Sequence, residues 1–274
     1  MNNRELSNRE PVKARPFIKW VGGKGGISRK VLEHLPNEIE NYYEPFLGGG
    51  AIFFNARKRL KNAFLSDVNA QLVQVYKVIQ NNIDDLIRIL DIHKKSHSKD
   101  YYYNIRSMHN LDNPVKMSAR FIYLNKTCYN GLYRVNKNNE FNVPMGSYKN
   151  PAILDEKNLR ACHEVLQNVN IQFGSFEDIE VHKNSVIYCD PPYDETYNQY
   201  TVNKFERDIQ EKLRDKVLEW SRQGAKVIIS NADTDYIREL YKNSVFTIID
   251  IEAPRYISCK TDGRDSTQEL LIML

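Results

Sequence analysis

The sequence has little that would place it in a membrane, a disulfide scaffold or a metal site. No apolar stretch among its 274 residues approaches the length of a membrane span. No apolar core of a signal peptide is visible, and residues 1–15 are polar, so they are expected to form a flexible N-terminal tail. Cysteine is scarce: Cys128, Cys162, Cys189 and Cys259 are scattered, with no C-x-x-C pair. They read as reduced thiols of a cytoplasmic protein, without a zinc site. The six histidines show no metal-ligand spacing either, so no metal is expected. Internal repeats and low-complexity tracts are absent. Two nucleotide signatures also fail. In G-x-x-x-x-G-K-[ST], the first glycine is missing ahead of Gly23-Lys24, and Gly25 stands where Ser or Thr is required. That excludes a triphosphate loop. A G-G-G-A turn at Gly48–Ala51, in place of G-x-G-x-x-G, weighs against a dinucleotide-dependent oxidoreductase.

What remains is an ordinary globular balance, 41% hydrophobic and 27% charged. The length suits one large domain, or one domain carrying an insertion. Charge is unevenly spread. Residues 88–150 hold 11 Lys and Arg against 4 Asp and Glu, and seven tyrosines. The rest of the chain holds 28 against 31. A basic, aromatic segment inside a mildly acidic protein points to a polyanion-binding surface.

One stretch carries chemistry. Ser185-Val186-Ile187-Tyr188-Cys189 reads as a short buried strand, stopped by Asp190-Pro191-Pro192-Tyr193 because proline cannot donate to a sheet ladder. Asp190 would then lie at the carboxyl end of a strand, where open α/β sheets bind ligands. The Asp190 carboxylate and the Pro191 carbonyl are adjacent acceptors that can hold both hydrogens of a planar amine. Tyr193 offers a face for a heterocycle. Together they suit the exocyclic amine of a flipped base.

Two glycine-rich turns precede it. Phe17-Ile18-Lys19-Trp20-Val21-Gly22-Gly23-Lys24-Gly25-Gly26 leads into a helix with Ile27, Val31, Leu32 and Leu35 at helical spacing, ended by Pro36. Lys24 could hold an anionic group there. Tyr43-Glu44-Pro45-Phe46-Leu47-Gly48-Gly49-Gly50 follows a short strand and leads into an apolar helix through Ile52, Phe53, Phe54 and Ala56. The strand Ala63–Ser66 comes next. It ends in Asp67, 19 residues after Gly48, near the spacing of a ribose-binding carboxylate. Helical repeats fill residues 68–95, and another helix is expected around Val115–Leu124. The α/β rhythm then breaks. A loop runs through Asn125-Lys126-Thr127-Cys128-Tyr129-Asn130-Gly131-Leu132-Tyr133-Arg134, and a hairpin is expected with its turn at Asn138-Asn139 and a strand at Phe141–Pro144. Strands resume at Ile171–Phe173 and Ala225–Asn231, with a helix over 206–222 between them. An antiparallel pair is expected at Phe246–Ile251 and Glu269–Leu274.

F-I-K-W-V-G-G-K, E-P-F-L-G-G-G-A, S-D-V-N, Y-N-G-L-Y-R-V-N with F-N-V-P-M-G-S-Y-K, and Y-C-D-P-P-Y occur in that order. From about Pro16 to its end the chain resembles Dam-type DNA adenine-N6 methyltransferases. The resemblance implies a site-specific, adenine-specific DNA methyltransferase. It implies an α/β fold: a Rossmann-like methyltransferase sheet with an inserted, mostly helical target-recognition domain containing a hairpin. On that basis residues 16–67 and 151–274 are expected as the catalytic domain and 68–150 as the insert. S-adenosyl-L-methionine is implied as methyl donor, leaving S-adenosyl-L-homocysteine. Trp20, Lys24, Phe46, Gly48, Gly50, Asp67 and Asp190 fall on cofactor positions. Asp190, Pro191, Pro192 and Tyr193 fall on the catalytic motif. Lys19, Tyr129, Asn130, Leu132, Arg134 and Pro144 fall on positions that meet double-stranded DNA, with GATC as the implied site. The chain departs from the family pattern at Lys126-Thr127-Cys128 and at Met145, which bears on the recognised sequence rather than on the reaction. A bacterial cell or phage-infected host is implied, with a separately acting restriction endonuclease left open. Another planar amine, such as an RNA base or a glutamine amide, and a catalytically silent DNA-binding module stay as alternatives. The silent module is disfavoured because Trp20, Lys24, Asp67 and Asp190 are all intact.

Overall fold

Seven strands form one sheet: β1 (Ile39–Glu44), β2 (Leu60–Asp67), β3 (Asn170–Phe173), β4 (Ser185–Cys189), β5 (Lys226–Ala232), β6 (Thr247–Ala253) and β7 (Thr267–Met273). The computed structural model describes residues 12–109, 111–193, 202–253 and 267–274. The strand order is β3-β2-β1-β4-β5-β7-β6. The first five pair in parallel, and β7 runs antiparallel between β5 and β6. The expected α/β class and the terminal antiparallel pair are both present. Parallel strands covered on both faces read as unbroken apolar runs. All five residues of β4 are buried, and so are six of seven in β5.

Nine helices lie among the described residues: α1 (Ser28–His34), α2 (Ala51–Ala56), α3 (Ala70–Asn81), α4 (Ile83–Ser96), α5 (Lys99–Ser107), α6 (Pro114–Thr127), α7 (Glu156–Leu166), α8 (Val202–Arg222) and α9 (Asp235–Leu240). The strongest stop and start signals act locally as chemistry requires. Asn113 caps α6 by accepting from the Val115 and Lys116 N–H groups at 2.9 and 3.0 Å, and Pro114 takes the first helical position. Ser98 caps α5 through the Tyr101 N–H.

The chain divides into two compact units. One comprises residues 20–73 and 168–274 and contains the sheet. Its core joins Ile187, Cys189, Val227 and Ile229 to Leu213, Val217 and Trp220 of α8. The other comprises residues 1–19 and 74–167. Its core gathers Tyr102, Ile105, Tyr123, Leu124, Cys128, Phe141, Val143 and Ile153. The second unit thus takes in α7 and residues 74–150 of the expected insert, while residues 68–73 fall in the sheet-containing unit. Ordered contacts begin before residue 16: Ala14 is buried, and the Arg15 main chain exchanges hydrogen bonds with the Asn158 side chain at 3.0 Å each way.

The expected hairpin is less regular than a strand pair. Its arms meet at one bridge, Val135 to Phe141, and the tip closes through Asn136 N–H to the Glu140 carbonyl. Asn139 turns the chain with φ of 61°. The second arm then leaves the first. Pro144 has no N–H to donate; its carbonyl accepts from the Tyr129 N–H at 2.9 Å, and Met145 bridges Cys128.

Candidate active site

The chain first builds outward from β1 to β3, then returns to place β4 on the other side of β1. That reversal opens a crevice at the carboxyl ends of β1 and β4. Glu44 ends β1, and Asp190 follows β4. Lys24, from the first glycine-rich turn, is only 5% exposed. Its ammonium lies 2.9 Å from Asp190 Oδ1 and donates to the Gly22 carbonyl at 2.8 Å. Ser230 of β5 donates to the same Asp190 oxygen at 3.0 Å, and the Tyr188 hydroxyl lies 2.8 Å from Ser230 Oγ. Asp190 Oδ1 is therefore held from two sides. Burial pushes the Asp190 carboxyl up to about 6, against the pull of Lys24 and Ser230 toward the charged form. Glu44 is buried, and that burial pushes its carboxyl up to about 8. Tyr42 donates to its Oε2 at 2.6 Å.

The rest of the Asp-Pro-Pro-Tyr turn is also anchored. The Pro192 carbonyl accepts from Gln210 Nε2 of α8 at 3.1 Å, and Gln210 Oε1 accepts from Asn231 of β5 at 2.9 Å. The Tyr193 hydroxyl donates to Glu269 Oε2 of β7 at 2.9 Å. Burial and the neighbouring Asp190 and Glu269 raise its phenol far above the ordinary range, so it stays a donor.

A second cluster surrounds Asp67. Its Oδ2 accepts from the Gly48 N–H at 2.9 Å and its Oδ1 from the Asn69 N–H at 2.9 Å. Burial raises its carboxyl above the usual range, opposed by those N–H groups. Gly48 has φ of 48°, and a Cβ there would stand 2.7 Å from Trp20 Cδ1. Gly50, with φ of 68°, starts α2. Phe46 packs on Phe176 with ring centroids 5.3 Å apart. Beside Asp67, Val68 and Phe173 expose 66% and 62% of their surface, and Phe173 pairs with Asp67 across the sheet.

The six DNA candidates all lie in the other unit. Lys19 Nζ donates to the Tyr148 hydroxyl at 2.9 Å. Asn125 of α6 is 1% exposed; its Oδ1 accepts from the Lys19 N–H at 2.8 Å, and its Nδ2 donates to the Lys19 and Gly131 carbonyls. Asn130 adopts a left-handed φ of 52° in a single turn of 3-10 helix over Tyr129–Gly131, leaving Tyr129 47% exposed. Leu132 is half-buried and Pro144 exposed. The exposed Arg134 donates through Nε to Asn142 Oδ1 at 2.7 Å.

The catalytic and cofactor candidates thus share one unit, and the DNA candidates share the other. Lys24, expected to face an anionic group of the cofactor, is engaged here by Asp190. Glu44, Ser230, Glu269 and Asn125 escaped sequence reasoning. Ser230 and Glu269 carry no local pattern, because only the sheet brings β5 and β7 beside β4. Glu44 carries no clear one either, because β1 reads Ile39-Glu40-Asn41-Tyr42-Tyr43-Glu44 and only the fold buries Glu44 while leaving Glu40 exposed.

A sequence model of D12 class N6 adenine-specific DNA methyltransferases matches residues 20–257. The chain belongs to this family. It is 40% identical to the type II methyltransferase M.MjaIII of Methanocaldococcus jannaschii, over 96% of this chain and 99% of that one. It is 35% identical to the type II methyltransferase M1.LlaDCHI of Lactococcus lactis, over 97% and 98%. It is 32% identical to the DNA adenine methylase of Haemophilus influenzae, over 98% and 96%. For a D12 methyltransferase the family implies S-adenosylmethionine as methyl donor and double-stranded DNA as substrate. No helix among the described residues is long and apolar enough to cross a membrane.

Proposed function

We propose that this chain methylates the N6 amine of an adenine flipped out of double-stranded DNA, within 5′-GATC-3′. The observation that carries the chemistry is the Asp190 carboxylate at the switch point, with Oδ1 held by Lys24 and Ser230 and the Tyr193 ring beside it. Asp190 Oδ2 and the Pro191 carbonyl accept the two amine hydrogens, which turns the nitrogen lone pair out of conjugation. Tyr193 stacks on the base. When bound, S-adenosylmethionine supplies an electrophilic methyl group on a sulfonium. As the nitrogen–methyl bond forms at the expense of the methyl–sulfur bond, the amine nitrogen becomes acidic, and the Asp190 carboxylate would stabilise its positive charge until the proton passes to water. The Asp67 region fits the cofactor: its carboxylate can accept from ribose hydroxyls while Val68 and Phe173 offer apolar faces for an adenine. Trp20, Phe46, Gly48 and Gly50 shape that pocket. Orientation and preorganised charge dominate the rate gain.

GATC rests on Lys19, Leu132, Arg134 and Pro144 as they stand in the sequence. Arg134 presents a guanidinium whose planar fork suits guanine O6 and N7. Tyr129, Asn130 and Leu132 form the loop that replaces the departing adenine in the stack. Such a role belongs in the cytoplasm, where DNA is accessible. The type II names of two relatives support a separately acting endonuclease.

The test is to incubate the protein with labelled S-adenosylmethionine and a library of near-cognate duplexes, then sequence the methylated adenines. Methylation confined to GATC, lost in a folded Asp190→Ala variant, is expected. Arg134→Ala should relax one base pair by about 1–3 kcal/mol. Equal methylation outside GATC removes the assigned site, and labelled RNA in place of DNA removes the substrate.

A further inference from the structure

We infer that Glu269 of β7 is a positioning residue for methyl transfer, acting through the hydroxyl of Tyr193. The inference rests on the functional reading above. A carboxylate in a strand flanked on both sides is costly unless it is paired. Glu269 is one: it pairs in register with Ala232 of β5 and Ile251 of β6, and its side chain is only 15% exposed. Its partners are both active-site candidates. Oε2 accepts from the Tyr193 hydroxyl at 2.9 Å and lies 3.9 Å from Lys24 Nζ. The first is a full hydrogen bond; the second is an electrostatic contact only.

The antiparallel direction of β7 makes this placement available. Parallel strands deliver their last residues to the crevice, whereas β7 delivers its first. Glu269 therefore reaches Tyr193 from β7, one strand beyond β5. Lys24 Nζ sits 4.3 Å from the Tyr193 ring centroid, on one face. The opposite face is the one a stacked base would use. With its hydroxyl tied to Glu269 and one face backed by Lys24, the ring is fixed in both tilt and height. Asp190 is bonded to the same Lys24, so Glu269 also sets the register between the stacking platform and the amine acceptor.

The experiment compares wild type, Glu269→Ala, Glu269→Gln, Tyr193→Phe and the double variant Glu269→Ala/Tyr193→Phe. The substrate is the duplex whose adenine wild type methylates. A second duplex carries 2-aminopurine at that adenine and reports base stacking by fluorescence. We expect Glu269→Ala and Tyr193→Phe each to lower kcat at least tenfold, with a small change in KM for DNA and the same altered 2-aminopurine signal. Glu269→Gln keeps an acceptor for the phenol and should recover most of that loss. In the Tyr193→Phe background, Glu269→Ala should cost less than twofold more. Equal losses in both backgrounds would overturn the inference, as would wild-type kinetics in Tyr193→Phe. The latter variant leaves β7 untouched, so a folding failure of Glu269→Ala does not rescue the idea. If wild type methylates no DNA adenine, the functional reading falls and this inference with it; if it does and the variants are silent, this inference alone falls.

Discussion

Asp190 titrates under two opposed influences. Burial favours its neutral form, while the Lys24 ammonium and the Ser230 hydroxyl favour the carboxylate, leaving it at about 6. Only the carboxylate accepts both the Lys24 bond and an amine hydrogen. Activity should therefore rise with pH through about 6 and level off above it, read as kcat/KM against pH. Ser230→Ala removes a donor that stabilises the charged form, so the acid limb should move to higher pH. A hydrogen bond to a charged group worth about 1.5 kcal/mol corresponds to a shift of roughly one pH unit. An unmoved limb would show that Ser230 does not tune Asp190. Gly48 supplies the second prediction at this scale. A Cβ there meets Trp20 Cδ1 at 2.7 Å, and φ of 48° disfavours any side chain. Gly48→Ala should weaken binding of S-adenosylhomocysteine about tenfold or more, roughly 1.4 kcal/mol, by calorimetry. Unchanged affinity would remove Trp20 and Gly48 from the cofactor pocket.

Among the elements, α6 does more than pack. Its buried Asn125 ties the Lys19 main chain to the Gly131 carbonyl, so one side chain joins the chain's first motif to the turn at Tyr129–Gly131. Asn125→Ala leaves those buried groups unpaired, at a cost of about 1–3 kcal/mol for each unsatisfied group. We expect a lower urea midpoint and, in the folded fraction, weaker DNA binding with cofactor affinity retained. Parallel loss of both affinities would mean that Asn125 supports the fold alone. The helices and strands themselves were mostly readable. The apolar run at β4 and the Pro-Pro stop after it are local facts, as are the Asn113-Pro114 start of α6 and the acid ending β2. The hairpin was readable at its turn and first bridge but not along its second arm. Asn138-Asn139 did mark a turn, but the Pro144 carbonyl found Tyr129 instead of a ladder partner, a choice made by the loop's packing.

Across the whole molecule the basic excess lies in residues 88–150, a balance of +7 against −3 elsewhere. DNA affinity should fall steeply with salt, the log–log slope counting neutralised phosphates at about 0.9 each for duplex DNA. Replacing Lys137 or Lys149 should flatten that slope by about one phosphate without changing the methylated sequence. A salt-independent affinity would show that this segment does not track the backbone.

The amino-acid order alone set the succession of motifs, the α/β class and the position of Asp190 at a strand end. Each of these is carried by neighbouring residues, through periodicity, glycine turns and proline stops. It also segregated the basic charge, because composition is additive along a chain. Folding in three dimensions is what brings Lys24 onto Asp190, Ser230 and Glu269 into the same site, and Asn125 onto Lys19. These partners lie between 40 and 245 residues apart in Ser230 with Asp190 and Glu269 with Lys24. No local pattern encodes such a pair. It is fixed by strand order and by the direction of β7, which follow from how the apolar faces bury one another.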